Sequence, residues 1–266
     1  MPVINKSNFK IEKLYLDCID EQGNCFIIYW IKIHFHILRI FYSGFIFSDR
    51  DGTISEKSVL RKSESSINKE SLYFNQENLK IAGRWNRSDD PIILSLYKDD
   101  DGNELIWNCH HPKSLTEIIF NGKVYKGFGY AETLSLPIKP WNLPVDELRW
   151  GRFLSDAYTV VWMNWRWKYP VNRIFLNNTE FNDVIFYDNK ISFGDGMYQL
   201  MFSDIITIRK GKLLNLFSGI PLLRFMFNRR ILNTMEIKYK AKTVLSNNAV
   251  ILSNGWSLFE IVTWAK

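Results

Sequence analysis

Short strand signals, separated by turns, run through most of this 266-residue chain and constrain its fold more than any other feature. Residues 31–37 alternate apolar and polar side chains, which is the period of a strand with one polar face. Asn121-Gly122, between apolar runs at 115–120 and 124–130, predicts a hairpin with a primed turn. The one good helix candidate is Pro221–Leu232, where Pro221 suits the first helical position. Many short strands with few helices predict an all-β protein built from barrels or sandwiches.

Length and segment composition suggest how these strands are grouped. A chain of 266 residues can form one large domain or two small ones. The proline-containing stretch Ser135–Pro144 is typical of a connection between two strand-rich units. Residues 53–71 are polar and predict a loop or a solvated edge strand.

The overall composition narrows the classes of partner. Lys and Arg total 34 against 28 Asp and Glu, a mild excess without a long basic run, so we do not expect nucleic-acid binding. Aromatic residues make up 15% of the chain, which favours a cavity or an adhesive surface. Three cysteines cannot all pair, which predicts reduced thiols in a cytoplasmic protein.

The apolar stretch Cys25–Phe47 resembles a membrane span in hydropathy alone. It contains Lys32, His34, His36 and Arg39, which a single lipid-facing helix tolerates poorly. A buried pair of strands is the better interpretation, and no stable membrane insertion is expected.

The segment Gly127–Arg166 contains the candidate functional residues. As a strand, residues 127–134 have two unlike faces: one small, and one aromatic or apolar that includes Tyr130 and Glu132. If that second row faces a cavity, desolvation raises the pKa of Glu132 and makes it a proton donor near neutral pH. The alternative is a structural role in which Glu132 pairs with Arg149 or Arg152.

Tryptophans interleaved with polar side chains follow Glu132 in the sequence. Trp rings with Arg and Asn between them suit a pocket that holds a flat or unsaturated apolar ligand by one polar end. The ring faces can also stabilise a carbocation. The alternative is an aromatic core with Arg side chains stacked on Trp. The predicted ligand-contacting residues are Tyr130, Trp150, Trp162, Asn164, Trp165 and Arg166.

The run Gly127-Phe128-Gly129-Tyr130, with Glu132, Trp150-Gly151 and the later VVWMNWR, resembles the lipocalin-like carotenoid 1,2-hydratase and AttH-type family. This resemblance implies two lipocalin-like (calycin) antiparallel β-barrels in tandem, with one or few short helices. We place them at residues 1–126 and 127–266. The family includes hydratases, relatives of tocopherol cyclase and pericyclic catalysts, so the fold transfers better than the reaction.

Other catalytic patterns are weak or absent. The four His form two pairs, His34/His36 and His110/His111; with Cys109 they could meet on neighbouring strands, but their spacing matches no metal motif. Gly127-x-Gly129 lacks the third glycine and the helix of a dinucleotide site. The sequence also contains no Gly-x-Ser-x-Gly elbow. We therefore predict neither a metal nor a cofactor.

The leading interpretation is a cofactor-free enzyme that acts on a lipophilic, isoprenoid or polyketide-like small molecule in a barrel cavity. Its chemistry would be proton transfer leading to hydration, isomerisation or cyclisation. Glu132 would be the acid, and Arg149 or Arg152 would tune its pKa or hold a polar group. Two alternatives stay open: a non-catalytic carrier of a hydrophobic ligand, and an interaction protein whose barrels are filled by their own side chains.

Overall fold

A computed structural model describes residues 9–166, 168–216 and 226–265 of the chain. Over these residues the protein is all-β, as predicted, with two short helices. The chain divides into two compact units. The first comprises Met1–Phe47 and Ser55–Leu143, and the second comprises Ser48–Ile54 and Pro144–Lys266.

The first sheet has ten antiparallel strands in the order β4-β3-β2-β1-β10-β9-β7-β6-β5, with β8 also paired to β9. Its strands are β1 (Phe9–Asp20), β2 (Cys25–Phe35), β3 (Leu38–Ser48), β4 (Ile54–Val59), β5 (Glu64–Ile67), β6 (Ser71–Gln76), β7 (Ile81–Arg87), β8 (Ile92–Lys98), β9 (Glu104–Phe120) and β10 (Lys123–Leu136). The first strand of the sheet pairs with the last, so the two ends of this strand series meet in the middle of the sheet.

The second sheet has nine antiparallel strands in the order β14-β13-β12-β11-β19-β18-β17-β16-β15. Its strands are β11 (Glu147–Leu154), β12 (Thr159–Arg166), β13 (Val171–Leu176), β14 (Thr179–Phe181), β15 (Ile185–Phe186), β16 (Lys190–Phe193), β17 (Tyr198–Lys212), β18 (Met235–Asn247) and β19 (Val250–Thr263). Here too the first strand pairs with the last. Apart from β8, the two sheets therefore share one topology, that of two barrel-type units in tandem.

Each sheet packs an apolar core against one of its faces. In the first unit this face carries side chains from β1, β2, β3, β6, β7, β9 and β10, including Leu14, Leu16, Phe26, Trp85 and Ala131. In the second unit the core is built around Phe153, Trp162, Ile174, Phe193 and Leu245. The burial of these large side chains is the main favourable contribution to the fold.

Gly129 shows why β10 needs small residues on its core-facing side. A Cβ atom there would lie 2.5 Å from the carbonyl oxygen of Asp17 and 2.8 Å from Cδ1 of Trp85. Since the Trp85 indole also donates a 2.7 Å hydrogen bond to that same carbonyl oxygen, the ring cannot move away freely. Glycine is required because any side chain would overlap the neighbouring strand and the core.

Several sequence predictions about the strands are confirmed. Asn121 and Gly122 have φ angles of 50° and 78°, as a primed hairpin turn between β9 and β10 requires. The stretch Cys25–Phe47 forms β2 and β3, and the part of the chain that the structure describes has no helix long and apolar enough to cross a membrane. The polar stretch 53–71 contains β4 and β5, which are exposed, so the edge-strand alternative is the correct one.

Other features differ from the sequence prediction or fall partly outside the described residues. Strand β1 was not predicted, because charged residues interrupt its apolar pattern. The proposed boundary between residues 126 and 127 falls inside β10. Residues 221–225, the first part of the predicted helix Pro221–Leu232, lie outside the described residues. The two short helices are α1 (Leu213–Leu216) and α2 (Arg229–Leu232), and Asn228 caps the second by accepting a 3.1 Å bond from the amide of Ile231.

Candidate functional site

Glu132 lies on the face of the first sheet that points away from the unit's apolar core. Its neighbour Ala131 belongs to the core, and successive residues of a strand point to opposite faces. Glu132 is opposite Tyr15 on β1 and opposite Cys109 on β9. These three side chains are nevertheless all buried. The row of Tyr130 and Glu132 predicted from the sequence thus exists, and it lies on the face opposite the apolar core.

The two oxygens of the Glu132 carboxyl group have different environments. Oε2 accepts hydrogen bonds from the indole Nε1 of Trp107 and from the hydroxyl of Tyr130, the latter at 2.6 Å. Oε1 accepts no hydrogen bond from any residue that the structure describes, and no cation within that part of the chain forms an ion pair with it. A proton on this carboxyl group therefore belongs on Oε1, because both donors occupy Oε2.

Burial is the dominant influence on the Glu132 carboxyl group and raises its pKa above the ordinary value of 4.5. The positive charge of Lys13 and the hydrogen bonds from Tyr130 and Trp107 act in the opposite direction, while the negative charge of Asp17 adds to the increase. The net effect is a raised pKa. An acid with a raised pKa and one free oxygen is suited to general acid catalysis.

Three tyrosines form the aromatic surroundings of this carboxyl group. The ring of Tyr15 contacts those of Tyr29 and Tyr130 edge to face, with centroids 5.6 and 6.0 Å apart. The ammonium nitrogen of Lys13 lies 5.8 Å from the centroid of Tyr15 and 5.3 Å from that of Tyr29. Burial also raises the pKa values of the Tyr130 hydroxyl and the Cys109 thiol, so both are protonated at neutral pH. The face therefore combines polarisable rings, neutral donors and two buried acids, Glu132 and Asp17, the latter opposite Tyr130 on β1.

The second unit has a glutamate at the equivalent position of its own sheet. Gly127 in β10 precedes Glu132 by five residues, and Gly255 in β19 precedes Glu260 by the same interval. A Cβ on either glycine would overlap the backbone of the first strand in its sheet. Glu260 is opposite Trp150 of β11, just as Glu132 is opposite a residue of β1. The topological match therefore extends to individual positions.

The partners of the two glutamates are chemically different. Glu260 is opposite Lys238 on β18 and forms an ion pair with it. Lys238 also lies 3.1 Å from Glu236, and Arg209 lies 3.5 Å from that residue. Glu260 is thus held as a carboxylate in a buried charge network. At the matching position Glu132 has only neutral donors, which makes it the chemically unusual member of the pair.

The predicted arginines lie in the second unit. Arg149 forms a 2.8 Å ion pair with Glu147, and the exposed Arg166 contacts the same carboxylate at 3.0 Å. Arg152 is fully buried, and its Nη1 donates a 3.4 Å bond to the carbonyl oxygen of Trp256.

The remaining predicted contacts also belong to the second unit. Trp162 is part of its apolar core, whereas Trp150 and Trp165 lie on the other face of the sheet because they sit one position out of phase with it. The indole of Trp165 donates a 3.2 Å bond to the carbonyl of Pro144. Asn164 donates a 3.3 Å bond to Asn172. Tyr130 is the one predicted ligand contact that touches Glu132.

The histidines lie in two separate settings. His34 is on β2, and the loss of solvation, together with the positive charges of Lys32 and Arg39, lowers its pKa. His36 is exposed in the turn after β2, with a φ angle of 53°. His110 and His111 lie on β9. Among residues 9–166, 168–216 and 226–265, no three His, Cys, Asp or Glu side chains are grouped as metal ligands would be.

Sequence reasoning missed Trp107, Tyr15 and Lys13, which all contact or influence Glu132 from other strands. The segment containing Trp107 was predicted to be a strand, but its pairing partner was not. One indication was present in the sequence: Trp107 is an isolated Trp in a polar segment of β9. A buried indole needs a hydrogen-bond acceptor, so a polar partner for Trp107 could have been expected. The ion pair of Lys238 with Glu260 was missed because alternating lysines in β18 are typical of a solvated face.

The comparisons with known proteins address the fold. No family model matches the sequence, and no curated protein matches it. The fold is similar to that of a candidate AttH protein from Nitrosomonas europaea, at 9% identity and a TM-score of 0.59, covering 98% of this chain and 94% of the other. It is also similar to CghA crystallised with Sch210972, at 9% identity and a TM-score of 0.58, covering 96% and 89%. Kievitone hydratase from Nectria haematococca matches at 7% identity and a TM-score of 0.55, covering 97% and 90%. The resemblance to AttH-type proteins is thus confirmed in the fold, over nearly the whole chain.

Proposed function

We propose that this protein is a cofactor-free enzyme in which Glu132 transfers a proton to a lipophilic small molecule of the isoprenoid or polyketide-like class. The observation that carries the proposal is the unequal environment of the carboxyl oxygens, with Oε2 held by Trp107 and Tyr130 and Oε1 without a partner in the described part of the chain. The site is on the face of the first sheet that points away from the core, rather than inside the barrel.

The geometry accounts for both halves of a proton transfer. Before the transfer, burial favours the neutral form of the carboxyl group, and the proton lies on Oε1. As the proton leaves for an unsaturated carbon, the donors Trp107 and Tyr130 stabilise the carboxylate that forms. The carbocation is stabilised by the faces of nearby tyrosine rings. Water addition followed by loss of a proton to the Glu132 carboxylate gives hydration. Loss of a proton from an adjacent carbon to that carboxylate gives isomerisation, and attack by a second double bond followed by the same proton loss gives cyclisation.

The similar structures support this class of chemistry by analogy. One of them is by name a hydratase, and another was crystallised with a small molecule. Neither identifies the substrate of this chain. The proposal does not need Arg149 or Arg152 to tune Glu132, because groups of the first unit account for the direction of its pKa.

The test begins with native mass spectrometry of freshly purified protein, followed by solvent extraction and identification of any released compound. That compound is then incubated with the protein in D2O, and deuterium incorporation and product formation are measured. Glu132→Gln is expected to abolish both while binding of the compound survives, because the amide still accepts from Trp107 and Tyr130 but has no proton to donate at this acidity.

The control is Glu117→Gln, which removes an exposed glutamate from the neighbouring strand β9, where it pairs with Lys126 at 3.0 Å. This variant should match the wild type in deuterium incorporation. If Glu132→Gln and the wild type process the compound equally, the assignment of Glu132 as the acid fails. If neither changes the compound, the protein is a carrier and the enzymatic proposal fails.

A further inference from the structure

The pairing of β9 with β10 is interrupted at Pro112. From Ser114 to Cys109 strand β9 advances five residues, while β10 advances only three from Gly129 to Glu132. Two extra residues are therefore accommodated in β9, as bulges. Proline has no backbone N–H to donate to the ladder, so a bulge is where a proline in an inner strand is tolerated.

The bulges bring two adjacent histidines to the core-facing side of the sheet. His110 Nε2 lies 2.9 Å from Oγ1 of Thr133, and His111 is opposite Ala131. Thr133 and Ala131 both point toward the core side, because they are two positions apart on β10. In a regular strand one of the two histidines would point the other way. The extra residues thus place an imidazole pair on a face that is otherwise largely apolar.

His111 is buried without any hydrogen bond. It is 1% exposed, and neither Nδ1 nor Nε2 has a partner among the described residues. Burial, His110 and Arg87 lower its pKa to about 4, so the ring is neutral at pH 7 and carries one donor and one acceptor. Asn108, opposite Thr133, likewise has a buried Oδ1 without a partner in this part of the chain. Buried polar groups are normally hydrogen-bonded, so this cluster needs an occupant.

We propose that the side chains of His111 and Asn108 form a second binding site, on the core-facing side of the first sheet, for a neutral molecule with an apolar body and a hydroxyl end. A hydroxyl group donates to Oδ1 of Asn108 or to the bare ring nitrogen, and it accepts from the imidazole N–H. A carboxylate has no proton for Oδ1, and an ammonium cannot accept. Leu14 and Leu16, which are opposite Thr133 and Ala131, provide the apolar contacts for the body.

This site is separate from the proposed catalytic site, because Glu132 points to the opposite face of the same strand. It does not depend on the proposed enzymatic function. A ligand at His111 and a substrate at Glu132 can be measured independently.

The test uses benzyl alcohol as the probe and ethylbenzene as its matched control, which replaces the hydroxyl by a methyl group. The full-length protein is labelled with ¹⁵N-histidine, and the ring nitrogen signals of His111 are followed by NMR during titration with each compound. Benzyl alcohol is expected to shift these signals saturably, with an affinity at least tenfold higher than that of ethylbenzene. His111→Phe should remove this preference, and His111→Gln, which keeps a donor and an acceptor, should largely retain it.

The variant Asn108→Leu provides a second test if His111→Phe does not fold, and it too should remove the preference for the alcohol. The proposal is overturned if benzyl alcohol leaves the His111 signals unchanged up to its solubility limit, which means that ordered water alone satisfies these groups. Equal binding of the two compounds also overturns it, because the polar groups would then have no role in recognition.

Discussion

Replacing each of the two equivalent glutamates by glutamine is expected to have opposite consequences for the free energy of unfolding. Glu132 has a folded-state pKa above the value of 4.5 expected in the unfolded chain. Its stabilising contribution is therefore fully present below pH 4.5 and is lost as the pH rises through the folded-state pKa. The loss amounts to ~1.4 kcal/mol for every tenfold increase in proton affinity on folding. Glu132→Gln removes this loss, so the variant gains stability relative to the wild type as the pH rises.

Glu260→Gln removes one partner of the buried ion pair with Lys238. Loss of one partner from such a pair typically costs 3–5 kcal/mol, and we expect about 3 kcal/mol because Glu236 still lies 3.1 Å from the Lys238 ammonium. Guanidinium unfolding of both variants and the wild type between about pH 4 and pH 8 measures these differences. The two proteins differ from the wild type by the same chemical change, so the comparison isolates the environment of each carboxyl group.

The reasoning is refuted if Glu132→Gln loses as much stability as Glu260→Gln at pH 7, or if its difference from the wild type does not depend on pH. Either result would mean that folding does not raise the pKa of Glu132. Glu132 would then have the structural role that the sequence left open, and the argument for an acid catalyst would fail.

Two further predictions concern β10 and the neighbouring strand β9. Gly129→Ala should destabilise the protein by about 3 kcal/mol, at the upper end for overpacking, because its Cβ would lie 2.5 Å from the carbonyl oxygen of Asp17. Gly122 has open space around it but a φ angle of +78°, so Gly122→Ala should lower the free energy of unfolding by only about 1 kcal/mol, through backbone strain. Chemical denaturation measures both variants, and equal losses of stability would contradict the packing argument. Trp107→Phe should raise the pKa of Glu132 further, because it removes a hydrogen-bond donor to the carboxylate. Infrared detection of the protonated carboxyl band during a pH titration measures this pKa, and a lowered value would contradict the prediction.

The row that contains Tyr130 and Glu132 could be predicted because it depends only on the alternation of one strand. Both residues lie in β10, two positions apart, and the structure brings them into contact. Likewise, Asn121-Gly122 specifies a hairpin turn by the φ angles that its residues tolerate. Local geometry of this kind can be predicted from a single sequence.

The second hydrogen-bond donor to Glu132, Trp107, could not be predicted, because its position depends on the pairing register of β9 with β10, which changes along these strands. Counting back from the Asn121-Gly122 turn without interruption places His111 opposite Glu132. The two extra residues near Pro112 replace it by Cys109, and they bring Trp107 within reach of the carboxyl group. A proline in a strand indicates a bulge, but neither its length nor its direction follows from the sequence. The long-range partner Tyr15 was missed for a similar reason, since it lies on the unpredicted β1.

Because the two units share one topology, comparing them shows which properties of Glu132 come from the fold and which come from its own neighbours. The second unit shows that this topology can satisfy a buried glutamate with a lysine from the neighbouring strand, as Lys238 does for Glu260. The first unit has Cys109 at the corresponding position, so its glutamate is left with neutral donors and a raised pKa. The fold therefore permits an ion pair at this position. Within the described part of the first unit no cation pairs with Glu132, so this difference comes from the local sequence and not from the fold. Buried acids with a raised pKa concentrate at functional sites, which is why we place the chemistry in the first unit rather than in its repeat.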